Sequence, residues 1–206
     1  MLDKPAYHPD EIEFFFSREK EVLNEYFKVR DAVYLEQFNL PNADILHDAY
    51  DDKPYTEFII IKHGKKIIGG GRLIFHFLGT DTLLPFEAEN FLLKNILPEL
   101  DLGNKSYLGV DRVALLKDYR HGDTGREIIR LSDYRGQELG INYIFTVNPP
   151  IQARLNKRHC SALGFDFHIR TDIEIPDKPS FNGKKMLLTT ADLNHPNHST
   201  RNLFPK

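Results

Sequence analysis

One stretch, Ser106 to Gly140, changes its periodicity midway and restricts the fold more than any other part of the chain. Tyr107, Leu108, Val110, Val113, Ala114, Leu115 and Leu116 form an apolar run of strand length. The run breaks at Lys117–Asp118 and enters a glycine-containing turn, Arg120-His121-Gly122-Asp123-Thr124-Gly125. Ile128, Ile129, Leu131, Ser132, Arg135 and Leu139 then recur at helical spacing. A strand that turns through glycines into a helix is anion-binding architecture. The first amides of a helix lack internal partners and sit at the positive end of its dipole. Gly122 and Gly125 let backbone amides approach a ligand closely. The bland explanation of the same loop is a helix cap at Asp123 or Thr124.

Two nucleotide loops can be set aside. A P-loop has Lys-Ser/Thr after its last glycine, where this chain has Arg126-Glu127. A dinucleotide fingerprint needs three glycines in register, and this loop has Gly122 and Gly125 alone. The 206 residues suit one domain, and 41% hydrophobic with 28% charged residues describe a chain with enough apolar mass for a core. A net charge of −3 gives no pull toward nucleic acid. A single cysteine, Cys160, forms no internal disulfide, which points to a reducing, cytoplasmic setting. No run approaches the roughly 18 apolar residues of a membrane span. Acids and prolines precede Phe14-Phe15-Phe16, unlike a secretory signal.

The remaining elements read in order. Residues 1–13 form a polar lead-in arm, and a first helix runs from Ser17 to Phe38 with Ser17 as its cap. Residues 39–55 are a polar loop, and its Asp48, Asp51 and Asp52 read most simply as a solvated turn. Residues 56–62 and 66–77 form a hairpin about His63-Gly64-Lys65, with Gly69-Gly70-Gly71 marking a bulge or a close backbone approach. Residues 86–97 read as a helix. A strand over 142–147 leads to a helix begun by Pro149-Pro150 and ended by Gly164. Strands over 165–175 and 185–190 precede a polar tail from about 192 to 206.

Arg120, Gly125 and the helix after them resemble the Arg/Gln-x-x-Gly-x-Gly/Ala motif A of the GNAT acyltransferase superfamily. Ser161-Ala162-Leu163-Gly164-Phe165 is similar to the Tyr-x-x-Leu-Gly-Phe end of GNAT domains, with Cys160 at the position of the Tyr. Other motifs resemble the acyl-homoserine-lactone (autoinducer) synthases and the related N-acyl amino acid synthases. These are Arg30 with Val33-Tyr34, Asp48-Ala49-Tyr50-Asp51, the Arg72-Leu73 strand, and Asp111-Arg112-Val113. The departures are specific. Asp123 stands where motif A has its middle glycine, and Gly122 comes one place early. The chain has no tryptophan, and Gly109 stands where those synthases carry a catalytic glutamate.

The resemblance implies one acyltransferase-like domain over residues 1–206. It implies an α/β (α+β) fold with a mixed, mostly antiparallel twisted central sheet flanked by helices. The implied activity is transfer of an acyl group to an amine of a small molecule or amino acid. The co-substrate is acetyl-CoA or a longer acyl-CoA, or an acyl carrier protein thioester, and no metal is involved. Arg120, His121, Gly122, Asp123, Thr124, Gly125 and Arg126 would hold the donor's phosphates, and Val113 and Leu115 its thioester. Arg30, Tyr34, Asp48, Asp51, Arg72 and Arg112 would serve the acceptor. Candidates for proton transfer are Asp111, which its neighbour Arg112 would hold in an ion pair, His121, since histidine exchanges protons near neutral pH, and Cys160. Phe75, Phe77, Phe86 and Phe91 are candidates for an acyl tunnel. Three readings stay open: an N-acyltransferase that uses acyl-CoA or an acyl carrier protein thioester, an autoinducer-synthase-like enzyme or a relative making N-acyl amino acids fed by a carrier protein, and a catalytically silent CoA-binding module.

Overall fold

The computed structural model describes residues 11–38, 47–120, 124–178 and 181–194. Seven strands form one sheet in the order β1-β2-β3-β4-β5-β7-β6. The strands are β1 Ile12–Ser17, β2 Thr56–His63, β3 Lys66–His76, β4 Tyr107–Leu115, β5 Tyr143–Asn148, β6 Asp166–Arg170 and β7 Leu187–Asp192. The α-helices are α1 Lys20–Phe38, α2 Leu93–Ile96, α3 Thr124–Glu138 and α4 Pro150–Ala162. Every strand pairing is antiparallel except β4 with β5. The sheet is thus mixed and mostly antiparallel, as expected.

Period-two alternation puts the sheet's side chains on two faces. Ile59, Ile61, Leu73, Phe75 and Leu108 meet Ile128 and Leu131 of α3 on one face. Phe58, Ile60 and Ala114 meet Tyr26 and Val33 of α1 on the other. Beyond α1, that second face is covered by Leu84, Phe86, Phe91 and Leu97. Gly70 is where α1 and β2 close on β3. A Cβ there would stand 2.4 Å from the Ile59 carbonyl oxygen and 2.8 Å from the Tyr26 ring.

Three local expectations are corrected. The supposed arm already contains strand from Ile12, and Phe14-Phe15-Phe16 pairs with Ile61, Ile60 and Ile59 of β2. The first helix accordingly starts at Lys20, and the Ser17 hydroxyl accepts the Glu19 amide at 3.1 Å. Residues 86–97 are helical only over Leu93–Ile96. The Glu87 carboxylate, which is buried, accepts the amides of Leu84 and Leu93 at 2.9 and 2.8 Å, so the chain loops around it. The strand expected to reach residue 175 pairs with β7 only over Asp166–Arg170.

The feature that makes a site is the parting of β4 from β5. They pair only over Tyr107–Gly109 and Tyr143–Phe145. Past Gly109, β4 keeps β3 as its partner and bulges, with Arg112 and Val113 together opposing Gly71. Arg112 takes a left-handed φ of 51°, and its carbonyl is held by the Tyr26 hydroxyl at 2.5 Å. Pro150 meanwhile turns β5 directly into α4.

Candidate functional site

The parted strands open a cavity of about 880 Å³, lined from both faces of the sheet. On the face of α3 and α4 the lining is apolar: Ile128, Ile144, Phe165, Phe167 and Ala191 surround Cys160. On the face of α1 it is polar: Tyr34, Asp48, Tyr50, Asp111, Arg112 and Lys178 share it with Phe86 and Phe181. Beyond Gly109, β4 has no strand on its β5 side, so backbone groups on that edge face the cavity. Gly125, at the N-terminus of the 15-residue helix α3, also lines it. So do Val113, Leu115 and Arg120.

Arg30, Asp48, Asp51, Arg72, Asp111 and Arg112 form one connected network along and behind the polar face. Arg30 donates to both oxygens of Asp51 at 3.0 and 2.8 Å. Arg72 reaches three carboxylates: Asp111 through Nε and Nη2, both at 2.8 Å, Asp48 at 2.6 and 3.1 Å, and Asp51 at 2.8 Å. Arg112 closes the network on Asp48 at 3.0 Å. The side chains of Arg30, Asp51 and Arg72 are fully buried. Burial alone would raise the Asp48 carboxyl, but the hydrogen bonds and charges of Arg72 and Arg112 prevail and hold it down to about 2. The loop expected to be a solvated turn is therefore the acidic half of an internal ion cluster.

The structure divides the expected site residues. Asp48, Asp111, Arg112 and Tyr34 reach the cavity, whereas Arg30, Asp51 and Arg72 stand behind its wall and position the others. Asp111 pairs with Arg72, not with its sequence neighbour Arg112. Arg120 lines the cavity with its guanidinium engaged by Glu36 at 2.7 Å and by the Leu115 carbonyl at 2.7 Å. Thr124 is buried at the start of α3, and Arg126 lies on its first turn. His121, Gly122 and Asp123 lie outside the described residues. Of the phenylalanines expected to line an acyl tunnel, only Phe86 does so; Phe75 and Phe77 stack on each other at 5.8 Å, and Phe91 is core.

Cys160 faces the apolar half and is 2% exposed. Burial, with a smaller push from Asp133, raises its thiol to about 12. A thiol so placed holds its proton more tightly than an ordinary leaving thiolate would, which makes it a poor donor. At pH 8 the native protein should be alkylated by iodoacetamide on the order of a thousandfold more slowly than free cysteine, with normal reactivity after unfolding. Rapid alkylation of the native chain, followed by mass spectrometry, would refute this placement.

Sequence reasoning missed several lining residues. Phe165 and Phe167 were read as strand without a facing. Tyr50 belongs to the polar Asp48-Ala49-Tyr50-Asp51 motif, and Lys178 falls between the last two expected strands. His159, whose Nε2 lies 3.7 Å from where a Cβ on Gly125 would be, was read only as helix. The helical spacing of Gln152, Leu155, Asn156 and His159 on α4 is the signal that one face of that helix looks inward. Among the described residues no group of three or more His, Cys, Asp or Glu is arranged to hold a metal, and no helix is long and apolar enough to cross a membrane.

No family model matches the sequence, and no curated protein matches it. Solved structures do. A Lactobacillus plantarum protein assigned as an N-acetyltransferase aligns over 88% of this chain and 98% of its own, at 15% identity and a TM-score of 0.61. FeeM, an N-acyl amino acid synthase from uncultured soil microbes, aligns over 87% and 89%, at 12% identity and a TM-score of 0.54. The AHL synthase LasI aligns over 92% of both chains, at 16% identity and a TM-score of 0.55. The parted strands, the cavity between them and these alignments agree: the chain has the GNAT fold, in a form similar to N-acetyltransferases, AHL synthases and an N-acyl amino acid synthase.

Proposed function

We propose that this chain is an N-acyltransferase that moves an acyl group from a thioester to the amine of a small molecule. The observation that carries this reading is the cavity between the parted strands, with the N-terminus of α3 at its rim and an apolar half on the same face. The amides at the start of α3 and the positive end of its dipole suit the donor's phosphates. The free edge of β4 around Val113 to Leu115 offers amides to the thioester carbonyl, where negative charge grows as the amine attacks. Attack forms the C–N bond and breaks the C–S bond, and the proton that the amine loses is taken up by the departing thiolate, which leaves as a thiol. Phe165, Phe167 and Ile128 give an acyl chain an apolar lining to pack against, which favours chains longer than acetyl.

The donor's carrier is read from α4. This helix has no acidic residue, and Arg154, Lys157 and Arg158 make no ion pair among the described residues. Ile151, 76% exposed, and Leu155, 40% exposed, lie among them, and Leu155 also lines the cavity. Such a surface suits an acidic acyl carrier protein as well as free CoA. Nearer the loop, Arg120 and Arg130 are already paired with Glu36 and Glu127.

Acyl-CoA esters should stabilise the protein against heat, and decanoyl-CoA more than acetyl-CoA. Ligand at a hundred times its Kd adds about 2.7 kcal/mol, a Tm shift of roughly 5–10 °C for a chain of this size. No shift with any chain length would remove CoA esters as the donor, and a shift unrelated to length would remove the preference for longer chains. Stabilisation without turnover across a panel of amines would instead favour a silent binding module.

A further inference from the structure

The apolar half of the cavity has a floor, and the register of the sheet shows what it is made of. Leu108 of β4 stands opposite Ile144 of β5, Ile144 opposite Ala191 of β7, and Ala191 opposite Phe167 of β6. These residues form one row across the sheet, on the face that α3 and α4 cover. All are large except Ala191. It lies on a strand with a neighbour on either side, where a bulky side chain would ordinarily fill the core. The cavity reaches this row: Ile144, Ala191 and Phe167 line it.

The space goes no further. One step along the same face of β7, Leu193 is buried and does not line the cavity. Its Cδ1 lies 2.8 Å from where a Cβ on Gly136 would stand, so Leu193 is packed against the backbone of α3. Leu131 and Ile141 of the same core are also buried and do not line the cavity either. In the other direction, toward the parted ends of β4 and β5, the face turns polar. Thr146 of β5 and Thr189 of β7, the next facing pair, share a hydrogen bond of 2.6 Å. The row through Ala191 is thus where the lining becomes apolar and where the space ends. Such a place suits the tail of a hydrocarbon chain, since a polar group there would find no partner.

We propose that Ala191 determines specificity for the acyl chain: the tail ends over its methyl group, and the size of this one side chain fixes the longest chain the protein accepts. This rests on the acyl-transfer reading of the same cavity. Each methylene buried before the floor strengthens binding about fourfold. A methylene beyond it finds no further apolar space, so the gain stops there. A larger side chain at position 191 raises the floor. It fills space that is already open, so it shortens the accepted chain without straining the core.

The test varies the floor and the chain together. Acyl-CoA esters from acetyl to hexadecanoyl are titrated calorimetrically into the wild-type chain, Ala191→Val and Ala191→Leu. The 1-alkanols from butanol to dodecanol serve as probes without a thioester, and the melting temperatures of the ligand-free proteins are compared. Wild type should gain about fourfold in affinity per methylene up to a limiting length and level off beyond it. The limit should come about two carbons earlier in Ala191→Val and about three earlier in Ala191→Leu, the carbons that each substitution adds. The longest ester still gaining in wild type should bind Ala191→Leu at least about tenfold more weakly, and butanoyl-CoA within about twofold. Both variants should keep a Tm within about 3 °C of wild type, since overpacking a filled core lowers it further. A larger fall, or failure to fold, would show that the space over Ala191 is occupied and overturn the inference. An unchanged limit in Ala191→Leu, or an affinity that climbs to hexadecanoyl without a break, would do the same and leave the transferase reading standing. If the esters do not bind but the alkanol limit moves with residue 191, acyl-CoA falls as donor and the inference holds. No binding of either class overturns it. Limits that move as expected, with no acyl transfer to any amine, would sink the transferase reading and leave this one standing.

Discussion

Replacing Arg72 by methionine should cost on the order of 5 kcal/mol, enough to unfold a domain of ordinary stability. Removing one partner of a buried ion pair typically costs about 3–5 kcal/mol, because the charge left behind is neither solvated nor paired. Arg72 is bonded to three carboxylates at once, and its side chain is fully buried. Methionine fills similar volume, so the loss would be electrostatic and not a cavity effect. Arg72→Lys keeps the charge but not the planar fork that spans Asp111 and Asp48, and should recover less than half. The pH dependence supplies a second check. The Asp48 carboxyl is depressed to about 2 in the folded protein, against about 3.9 in an unfolded chain. Its contribution is therefore fully present above pH 4 and is lost as pH falls from about 4 toward 2. In Arg72→Met the stranded carboxylates regain protons more readily, so the deficit relative to wild type should shrink as pH falls through that window. Urea denaturation at pH 7 and pH 3 measures both. A variant within about 1 kcal/mol of wild type at pH 7 would mean the cluster is not what closes the wall of the site.

How much of this was legible in the chain follows from how local each signal is. The strand Tyr107–Leu115 and the helix Thr124–Glu138 are spelled by their own residues, and so is α4, which begins at Pro150 and has Gly164 just past its end at a φ of 81°. The ion cluster is not local. Its bonds join residues 21, 24, 39 and 64 positions apart, and only the packing of α1, the 47–55 loop, β3 and β4 brings them together. Read alone, Asp48 and Asp51 look like a solvated turn. β1 was missed because three consecutive phenylalanines do not alternate; both its faces are covered, Phe14 and Phe16 on one core and Phe15 on the other. The helix expected over 86–97 failed on one residue, since a buried Glu87 takes backbone amides that a helix would have used. The facing of Phe165 and Phe167 depends on β6 register against β7, and a slip by one residue would turn both away from the cavity.

Gly109→Glu is expected to cost roughly 3–5 kcal/mol and to add no activity. Gly109 is the last residue of β4 paired with β5, opposite Phe145, and so stands at the apex of the parting. By resemblance it holds the place of a catalytic glutamate, and restoring that residue is the obvious way to supply a base. The space is taken. A Cβ on Gly109 would lie 2.9, 3.1 and 3.4 Å from three carbons of Leu84, which is fully buried beneath the loop that Glu87 ties down. A longer side chain must displace Leu84 and leave a carboxylate among apolar neighbours. Leu84→Ala alone should cost about 2–5 kcal/mol by opening a cavity. Because the two residues compete for one volume, the double variant should be less destabilised than the sum of the singles by at least about 1 kcal/mol. A thermodynamic cycle in urea decides this, with acyl transfer measured in parallel. Additive losses would mean that Leu84 does not occupy the site. A stable, faster Gly109→Glu would mean that Leu84 yields and that the reaction lacks only a base at this position.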